Sequence, residues 1–134
     1  HQEKFIPTIM RNLLKGNKIP IYGTGRNIRE WTYVKDTPRA IEHILLNSEF
    51  NKVYNISSSN EQENLEIVKK ITSVLNKDFE NSITFVPDRL GHDFRYSVNA
   101  DKLEDLGFTL NGSDNFEENL KETMRFFMEK SNGL

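Results

Sequence analysis

The sequence has no cysteine among its 134 residues, which excludes disulfide bonds and thiol chemistry. It also has no apolar run close to the roughly 20 residues that a membrane-spanning helix needs. Neither sign of charge dominates, because 18 basic and 20 acidic residues are interleaved and give a net charge of -2. A basic surface of the kind that binds nucleic acid is therefore not indicated. We expect a soluble, cytoplasmic protein that binds neither nucleic acid nor membranes.

Several motifs that would identify an enzyme are also missing. No Walker loop, CxxC or HExxH occurs, and the three histidines, His1, His43 and His92, lack the spacing of metal ligands. Gly23-Thr24-Gly25 is a lone GxG, whereas a dinucleotide site needs a third glycine and a helix that opens on the phosphates. We therefore expect a tight turn there, no metal, and no cofactor site in this chain.

The apolar residues alternate between helical and extended spacing. Helices are predicted over Phe5–Leu14, from Asp36 as N-cap to Leu45, and over Leu65–Leu75, Ala100–Leu106 and Phe116–Met128. Strands are predicted at Ile19–Tyr22, Ile28–Val34, Val53–Ile56, Ile83–Val86 and Tyr96–Val98. The pattern predicts an α/β or α+β fold of short strands and amphipathic helices. Because these strands are few and short, we expect them to extend a larger neighbour.

Three places carry side chains suited to binding. The loop Asp88–Asp93 joins ionisable groups to Gly91, and an arginine such as Arg89 can hold a phosphate with two parallel hydrogen bonds. On chemistry alone, a solvated turn with a local ion pair is the simpler explanation of this loop. Arg29 could reach an anion or pack its stem on Trp31, and Asn64 is a candidate helix N-cap. Chemistry alone leaves these alternatives open.

Read together, the segments indicate one family. The stretch Tyr33-Val34-Lys35-Asp36 is general to extended short-chain dehydrogenases. The combination of Glu3-Lys4-Phe5-Ile6-Pro7, Ile28-Arg29-Glu30-Trp31 and Asp88-Arg89-Leu90-Gly91-His92-Asp93 is narrower. Matching stretches also include Pro20 to Gly25, Tyr54-Asn55-Ile56, Asn60-Glu61, Asn64-Leu65 and Arg95-Tyr96-Ser97-Val98. Over nearly its whole length the chain resembles the dTDP-glucose 4,6-dehydratases, which are extended short-chain dehydrogenases acting on nucleotide sugars.

The resemblance has two departures and one large absence. Leu90 stands where the family usually has proline, and Phe108 stands where tryptophan is common. The family's glycine fingerprint for NAD, its catalytic Y-x-x-x-K and its Asp-Glu acid/base pair do not occur, and the chain begins with His1 rather than Met. We therefore expect residues 1–134 to be a substrate-binding domain, the carboxy-terminal part of such an enzyme without its amino-terminal Rossmann cofactor domain.

The resemblance implies a function for the parent enzyme and roles for residues of this chain. The parent would be a homodimeric lyase that uses NAD to convert dTDP-glucose to dTDP-4-keto-6-deoxyglucose in deoxysugar biosynthesis. No catalytic or NAD-binding residue is expected in this chain, which alone would be inactive. Its implied substrate-binding residues are Lys4, Phe5, Pro20, Ile21, Tyr22, Arg29, Asn64, Asp88, Arg89 and His92.

Among these residues, Arg29 and Arg89 would bind the diphosphate, with Asn64 and His92 nearby. Asp88 would bind a deoxyribose hydroxyl, and Pro20 to Tyr22 would lie beside the base. Other interpretations remain open at this point: part of another nucleotide-sugar epimerase or dehydratase, a non-catalytic nucleotide-sugar-binding module, or an interaction domain that has lost its function.

Overall fold

The computed structural model describes residues 3–49, 51–110 and 115–132, so His1 lies outside the described residues. The elements, in chain order, are the helix α1 (Phe5–Leu14), the strands β1 (Ile19–Tyr22) and β2 (Ile28–Glu30), the helix α2 (Asp36–Asn47), the strand β3 (Glu61–Glu63), the helices α3 (Asn64–Val74) and α4 (Phe79–Ser82), the strands β4 (Ile83–Val86) and β5 (Arg95–Tyr96), and the helices α5 (Asp101–Asp105) and α6 (Phe116–Asn132). Residue contacts divide the chain into two compact units, which are described in turn.

The first unit contains α1, β1, α3, α4, β4 and most of α6. Its two strands pair in parallel, with Ile19 opposite Ile83 and Tyr22 opposite Val86. The helices α1, α3 and α6 each bury one apolar face, as the helical spacing of their apolar residues predicts. The buried side chains are Ile9, Met10 and Leu13 of α1, Ile19 and Ile21 of β1, Ile67, Val68 and Ile71 of α3, Ile83 of β4, and Leu120 and Met124 of α6.

Helix α1 illustrates how local sequence sets an element's ends. Pro7 is tolerated because residues in the first turn of a helix have no intrahelical acceptor for an amide hydrogen, which proline lacks. At the other end Gly16 adopts a left-handed conformation with φ +72°, and its amide donates to the Leu13 carbonyl at 3.2 Å. Asn17 donates to the Asn12 carbonyl at 2.8 Å. These bonds satisfy carbonyls that the helix leaves open at its end.

The second unit contains β2, α2, β5, α5 and most of β3. Its three-stranded sheet has the order β3-β2-β5, and β2 and β5 run parallel with Ile28 opposite Arg95 and Arg29 opposite Tyr96. This unit has a small apolar core, in which Ala40 of α2 and Leu103 of α5 are fully buried. The side chains that complete this core are Leu110, Ile44, Tyr54, Ile56 and Phe108.

Most predicted elements are confirmed, and the differences have physical causes. The strand predicted at Ile28–Val34 ends at Glu30, and the strand predicted at Val53–Ile56 is absent. Tyr54 and Ile56 instead pack on the small core as an irregular segment, so burial rather than strand pairing explains their apolar character. The short elements β3 and α4 escape prediction because neither has enough residues to show a period.

The predicted cap of α2 is also wrong. Asp36 is the first helical residue, Lys35 occupies the N-cap position, and no side chain caps the helix. The Asp36 carboxylate is almost fully buried and accepts a hydrogen bond from Arg39 at 3.2 Å, one turn further along. The aspartate still suits a helix start, because its charge interacts favourably with the positive end of the helix.

Gly25 provides a test of packing in the first unit. It has φ +69°, and a methyl group there would lie 2.6 Å from Leu65 Cγ and 2.7 Å from Ile21 Cγ2. Gly16 has a similar φ of +72° but no atom within 4 Å, so Gly16→Ala isolates the backbone strain. We expect Gly25→Ala to lower the free energy of unfolding by about 1–3 kcal/mol more than Gly16→Ala, because overpacking adds to strain. Urea unfolding measures both losses, and equal losses would contradict the close packing at Gly25.

Candidate functional site

The candidate site begins where the paired strands β1 and β4 end. Parallel strands bring their carboxyl ends to the same edge, and ligands of α/β proteins bind at such edges. The amide of Gly23 donates to the Val86 carbonyl at 3.0 Å, which continues the pairing one residue past β1. The amide of Gly25 then donates to the Tyr22 carbonyl at 3.0 Å and closes a turn. Tyr22 and the segment from Asp88 onward therefore follow two adjacent strands and emerge side by side.

Asp88 is held against the backbone of Gly23. The carboxylate accepts the amide hydrogen of Arg89, with Oδ1 at 2.8 Å from the nitrogen. A Cβ atom at position 23 would lie 2.8 Å from Asp88 Oδ2, and Gly23 has φ +54°. Only glycine combines this left-handed backbone with so close an approach. The Gly23-Thr24-Gly25 turn, predicted from the lone GxG, thus fixes the position of a carboxylate.

Arg89 and Tyr22 form the exposed part of this site. The guanidinium carbon lies 4.7 Å from the centre of the Tyr22 ring, within the range of a cation–π contact. The tyrosine is 40% exposed, and Arg89 is exposed as well. A guanidinium over an aromatic ring keeps its charge and its hydrogen-bond donors. This arrangement can hold an anion beside an aromatic face.

The amino-terminal end of α3 docks on the same turn. Asn64 donates its amide to the Asn27 carbonyl at 3.0 Å, and Leu65 donates to the Gly25 carbonyl at 3.1 Å. The prediction of Asn64 as an N-cap is wrong, because Asn64 is the first helical residue and Glu63 occupies the cap position without a side-chain cap bond. The half-buried Asn64 is therefore placed near the turn by its backbone, in the first turn of a helix.

Other residues implied by the resemblance lie elsewhere in the first unit. Lys4 is exposed at the N-cap position of α1, and Phe5 is half-buried as the first residue of that helix. Pro20 is half-buried in β1, whereas Ile21 is 1% exposed and belongs to the core. The side chain of Ile21 therefore supports the strand from inside. His92 is exposed in the loop after β4.

Arg29 belongs to the second unit, where it lies on the central strand β2. Its side chain is half-buried, and Nη1 donates to the Ile28 carbonyl at 2.6 Å. The neighbouring Glu30 accepts the amide hydrogen of Ser58 at 2.7 Å. The Trp31 amide donates to the Asn60 carbonyl at 3.0 Å. These bonds attach β2 and its end to the 57–60 loop.

Sequence reasoning missed an ion pair on the same sheet. Arg95 donates two hydrogen bonds to Glu61, from Nε to Oε2 at 2.7 Å and from Nη2 to Oε1 at 2.6 Å. Hydrogen bonds from Arg95 and Ser97 lower the pKa of Glu61, and the contact raises the pKa of Arg95. Both residues belong to stretches that resemble the dehydratases. Because they are far apart along the chain, no local sequence pattern indicates that they pair.

Three further observations concern a metal site, the remaining histidine of the described residues and a membrane span. Within residues 3–49, 51–110 and 115–132, no group of three acidic, histidine or cysteine side chains could hold a metal ion. His43 joins α2 to the Leu106 carbonyl through Nε2 at 3.0 Å and packs on Phe108, so it is half-buried by tertiary contacts. Over the same residues, no helix is long and apolar enough to cross a membrane.

A cavity of about 510 Å³ lies elsewhere, between α3 and α6. It is lined by three lysines together with Ser73, Val74, Glu117 and Leu120. One of the lysines, Lys69, is paired with Glu66 at 2.9 Å. On α3 the lining begins at Lys69, more than one turn after the first residue of the helix. The cavity is therefore distinct from the candidate site at the ends of β1 and β4.

Comparisons with known proteins show which proteins this chain is similar to. The NAD dependent epimerase/dehydratase family model matches residues 1–57. Individual dTDP-glucose 4,6-dehydratases are similar to this chain along almost its whole length, well beyond residue 57. The enzyme of Shigella flexneri is 36% identical over 137 residues, which is 97% of this chain and 37% of the relative. The chain therefore spans well under half the length of this relative.

Solved structures show where the fold belongs. The Bacillus anthracis dTDP-glucose 4,6-dehydratase, in complex with NAD, aligns with a TM-score of 0.88 at 36% identity, covering 98% of this chain and 41% of that one. The Streptomyces venezuelae enzyme DesIV, with NAD and TYD bound, also has a TM-score of 0.88, at 37% identity, covering 96% of this chain and 39% of that one. The predicted resemblance to dTDP-glucose 4,6-dehydratases is confirmed, and so is the predicted α/β fold, which is similar to part of these Rossmann-type extended short-chain dehydrogenases.

The Glu61–Arg95 pair predicts a pH dependence. Glu61 has a pKa below its ordinary value of 4.5, so the pair stabilises the fold above that pH and loses its effect as the pH falls through the lowered pKa. We expect Glu61→Gln to be less stable than the wild type at pH 7 and the difference to shrink toward pH 3. Urea unfolding at both pH values measures it.

The matched control is Glu66→Gln, which removes a single exposed contact to Lys69 at 2.9 Å on α3. Exposed pairs of this kind contribute little, so the control should change stability less at pH 7. A Glu61→Gln effect that is equal at pH 7 and pH 3 would show that the charge of Glu61 is irrelevant.

Proposed function

We propose that this chain provides the nucleotide-sugar-binding portion of a dTDP-glucose 4,6-dehydratase, which converts dTDP-glucose to dTDP-4-keto-6-deoxyglucose with NAD. The observation that carries the proposal is Arg89 lying over the Tyr22 ring at the common end of two parallel strands, beside a carboxylate held against Gly23. The similarity to dehydratases over 97% of the chain supports the same conclusion. In this proposal the cation binds the diphosphate, the aromatic ring lies against the base, and the carboxylate binds the deoxyribose of the nucleotide.

Each group has a chemical role in this proposal. Arg89 and Arg29 bind the diphosphate, because planar guanidinium groups form paired hydrogen bonds with phosphate oxygens. The Tyr22 ring, next to Pro20 in β1, lies against the pyrimidine, and Asp88 accepts a hydrogen bond from a deoxyribose hydroxyl.

Supporting contacts complete the nucleotide site. Asn64 and His92 donate hydrogen bonds near the phosphates, and Lys4 and Phe5 line the entrance to the site. Binding energy gathered at the nucleotide positions the sugar for reaction elsewhere in the enzyme.

The NAD and the catalytic groups are provided by other parts of the parent enzyme, so this chain alone is inactive. The turn after β1 supports this division, because Gly23-Thr24-Gly25 leads into β2 rather than into a helix whose amino-terminal end could bind a pyrophosphate. When bound, NAD supplies the hydride acceptor and donor of the reaction. Residues of this chain bind and orient the nucleotide end of the substrate, and the parent enzyme is a homodimer.

The absence of a dinucleotide site is testable by titration. We expect calorimetry of this chain with NAD to show no saturable binding tighter than about 100 μM, an affinity of about -5.5 kcal/mol. The parallel titration with dTDP shows whether the chain is folded and competent to bind. Saturable NAD binding below that concentration would contradict the assignment of the cofactor site to another part of the enzyme.

The two arginines give the decisive test of the diphosphate assignment. Each charged contact contributes about 1.5–3 kcal/mol, so Arg29→Ala or Arg89→Ala in the full-length enzyme should weaken dTDP binding about tenfold to a hundredfold. Arg→Lys should recover only part of the loss, because lysine keeps the charge but not the paired donors. Competition titration measures dTDP and thymidine against each variant.

Two controls separate phosphate contacts from general damage. Thymidine carries no phosphate, so its binding should be weak and nearly unchanged in every variant. Arg26→Ala removes an exposed arginine from the turn that joins β1 and β2 and should leave dTDP binding unchanged. Unchanged dTDP affinity in both Arg→Ala variants, or an equal loss for thymidine, would overturn the assignment. Equal affinity for UDP would instead favour a different nucleotide sugar as substrate.

A further inference from the structure

The Glu61–Arg95 pair joins the two outer strands of the sheet in the second unit. Glu61 lies on β3 and Arg95 on β5, while β2 runs between them and carries Arg29. Two hydrogen bonds, at 2.6 Å and 2.7 Å, join both carboxylate oxygens of Glu61 to the guanidinium of Arg95. Such paired contacts are about twice as strong as neutral hydrogen bonds and fix direction as well as distance.

The strand register shows which face the pair spans. Arg95 is opposite Ile28 and Tyr96 is opposite Arg29, and neighbours opposite each other in a sheet point to the same face. Successive residues alternate, so Arg95 shares the Ile28 face and Arg29 shares the other face with Tyr96. The ion pair therefore crosses β2 on the face opposite the Arg29 side chain, and it does not compete with that side chain for a ligand.

The strands themselves are too short to hold β2 firmly. β2 has three residues and β5 only two, so few ladder hydrogen bonds fix their position. Side-chain bonds supply additional fixation, and Glu30 is already bonded to the Ser58 amide at 2.7 Å. Glu61 and Arg95 complete this fixation from the two outer strands. Removing the pair should leave β2 paired but less exactly placed.

Placement matters because a guanidinium that binds a diphosphate through two bonds must be held within about 0.5 Å of its productive position. We propose that Glu61 and Arg95 are positioning residues, which hold β2 so that Arg29 is oriented for the diphosphate of the nucleotide. This inference rests on the proposed function, since it assigns a ligand to Arg29. Neither Glu61 nor Arg95 touches the ligand in this arrangement.

The test is a double-mutant cycle in the full-length enzyme, read by dTDP and thymidine affinity. Positioning predicts that Glu61→Gln and Arg95→Met each weaken dTDP binding about threefold to tenfold, the range typical of coupled neighbours. Thymidine affinity should not change. In an Arg29→Ala background the same substitutions should cause no further loss, because the residue that they position is gone.

Two more variants separate positioning from folding. Arg95→Lys keeps the charge with a single contact and should recover part of the dTDP affinity, and it remains informative if Arg95→Met does not fold. Glu66→Gln, which removes the Lys69 contact on α3, should leave dTDP affinity unchanged. Urea unfolding of every variant confirms that each protein is folded under the binding conditions.

The possible outcomes distinguish this inference from the proposed function. If Arg29→Ala weakens dTDP binding but the Glu61 and Arg95 variants do not, the positioning role is wrong and the function stands. Equal losses for dTDP and thymidine, or additive losses in the Arg29→Ala background, also overturn the positioning role. If Arg29→Ala has no effect on dTDP, the ligand assignment of Arg29 fails and the positioning role fails with it.

Discussion

The parallel pairing of β1 with β4 is the interaction on which the candidate site depends. Ile19, Ile21 and Ile83 are buried and hold the two strands in the core of the first unit. With the register set by this burial, Tyr22 ends opposite Val86, and the residues that follow each strand emerge at one edge. A shift by one residue would turn the buried side chains outward, so the core that stabilises the unit also fixes the site.

Local signals explain which elements could be predicted from the sequence. β1 and β4 are observed with the predicted bounds, and α1 ends just before Gly16 as expected, because apolar periodicity and a terminating glycine are properties of neighbouring residues. The loop from Asp88 was also recognisable as a candidate site, since it combines charges with a glycine directly after a strand. The family resemblance added the expected roles of its residues, which composition and spacing leave undecided.

Apart from the very short elements and the helix caps, the features that escaped prediction depend on contacts between distant residues. Val53 to Ile56 has strand-like composition, yet Tyr54 and Ile56 pack on Ala40, Leu103 and Leu110 without pairing. The Glu61–Arg95 bonds and the stacking of Arg89 on Tyr22 each join separate parts of the chain. The role of Gly23 changes most: its sequence context predicts only a turn, whereas its missing side chain provides the space for Asp88.

The arrangement of charges is compatible with the proposed binding of a diphosphate, although an acid and a base are adjacent in sequence. The Asp88 carboxylate faces the Gly23 backbone and accepts the amide hydrogen of Arg89, so the fold uses its charge to orient the main chain. The Arg89 guanidinium lies over the Tyr22 ring, which attracts a cation without neutralising it. Had the two side chains formed an ion pair, a phosphate would have to displace the carboxylate before it could bind. Because the Asp88 carboxylate lies against Gly23 and the Arg89 guanidinium lies over Tyr22, the proposed site leaves the cation available for a phosphate and the carboxylate for a sugar hydroxyl.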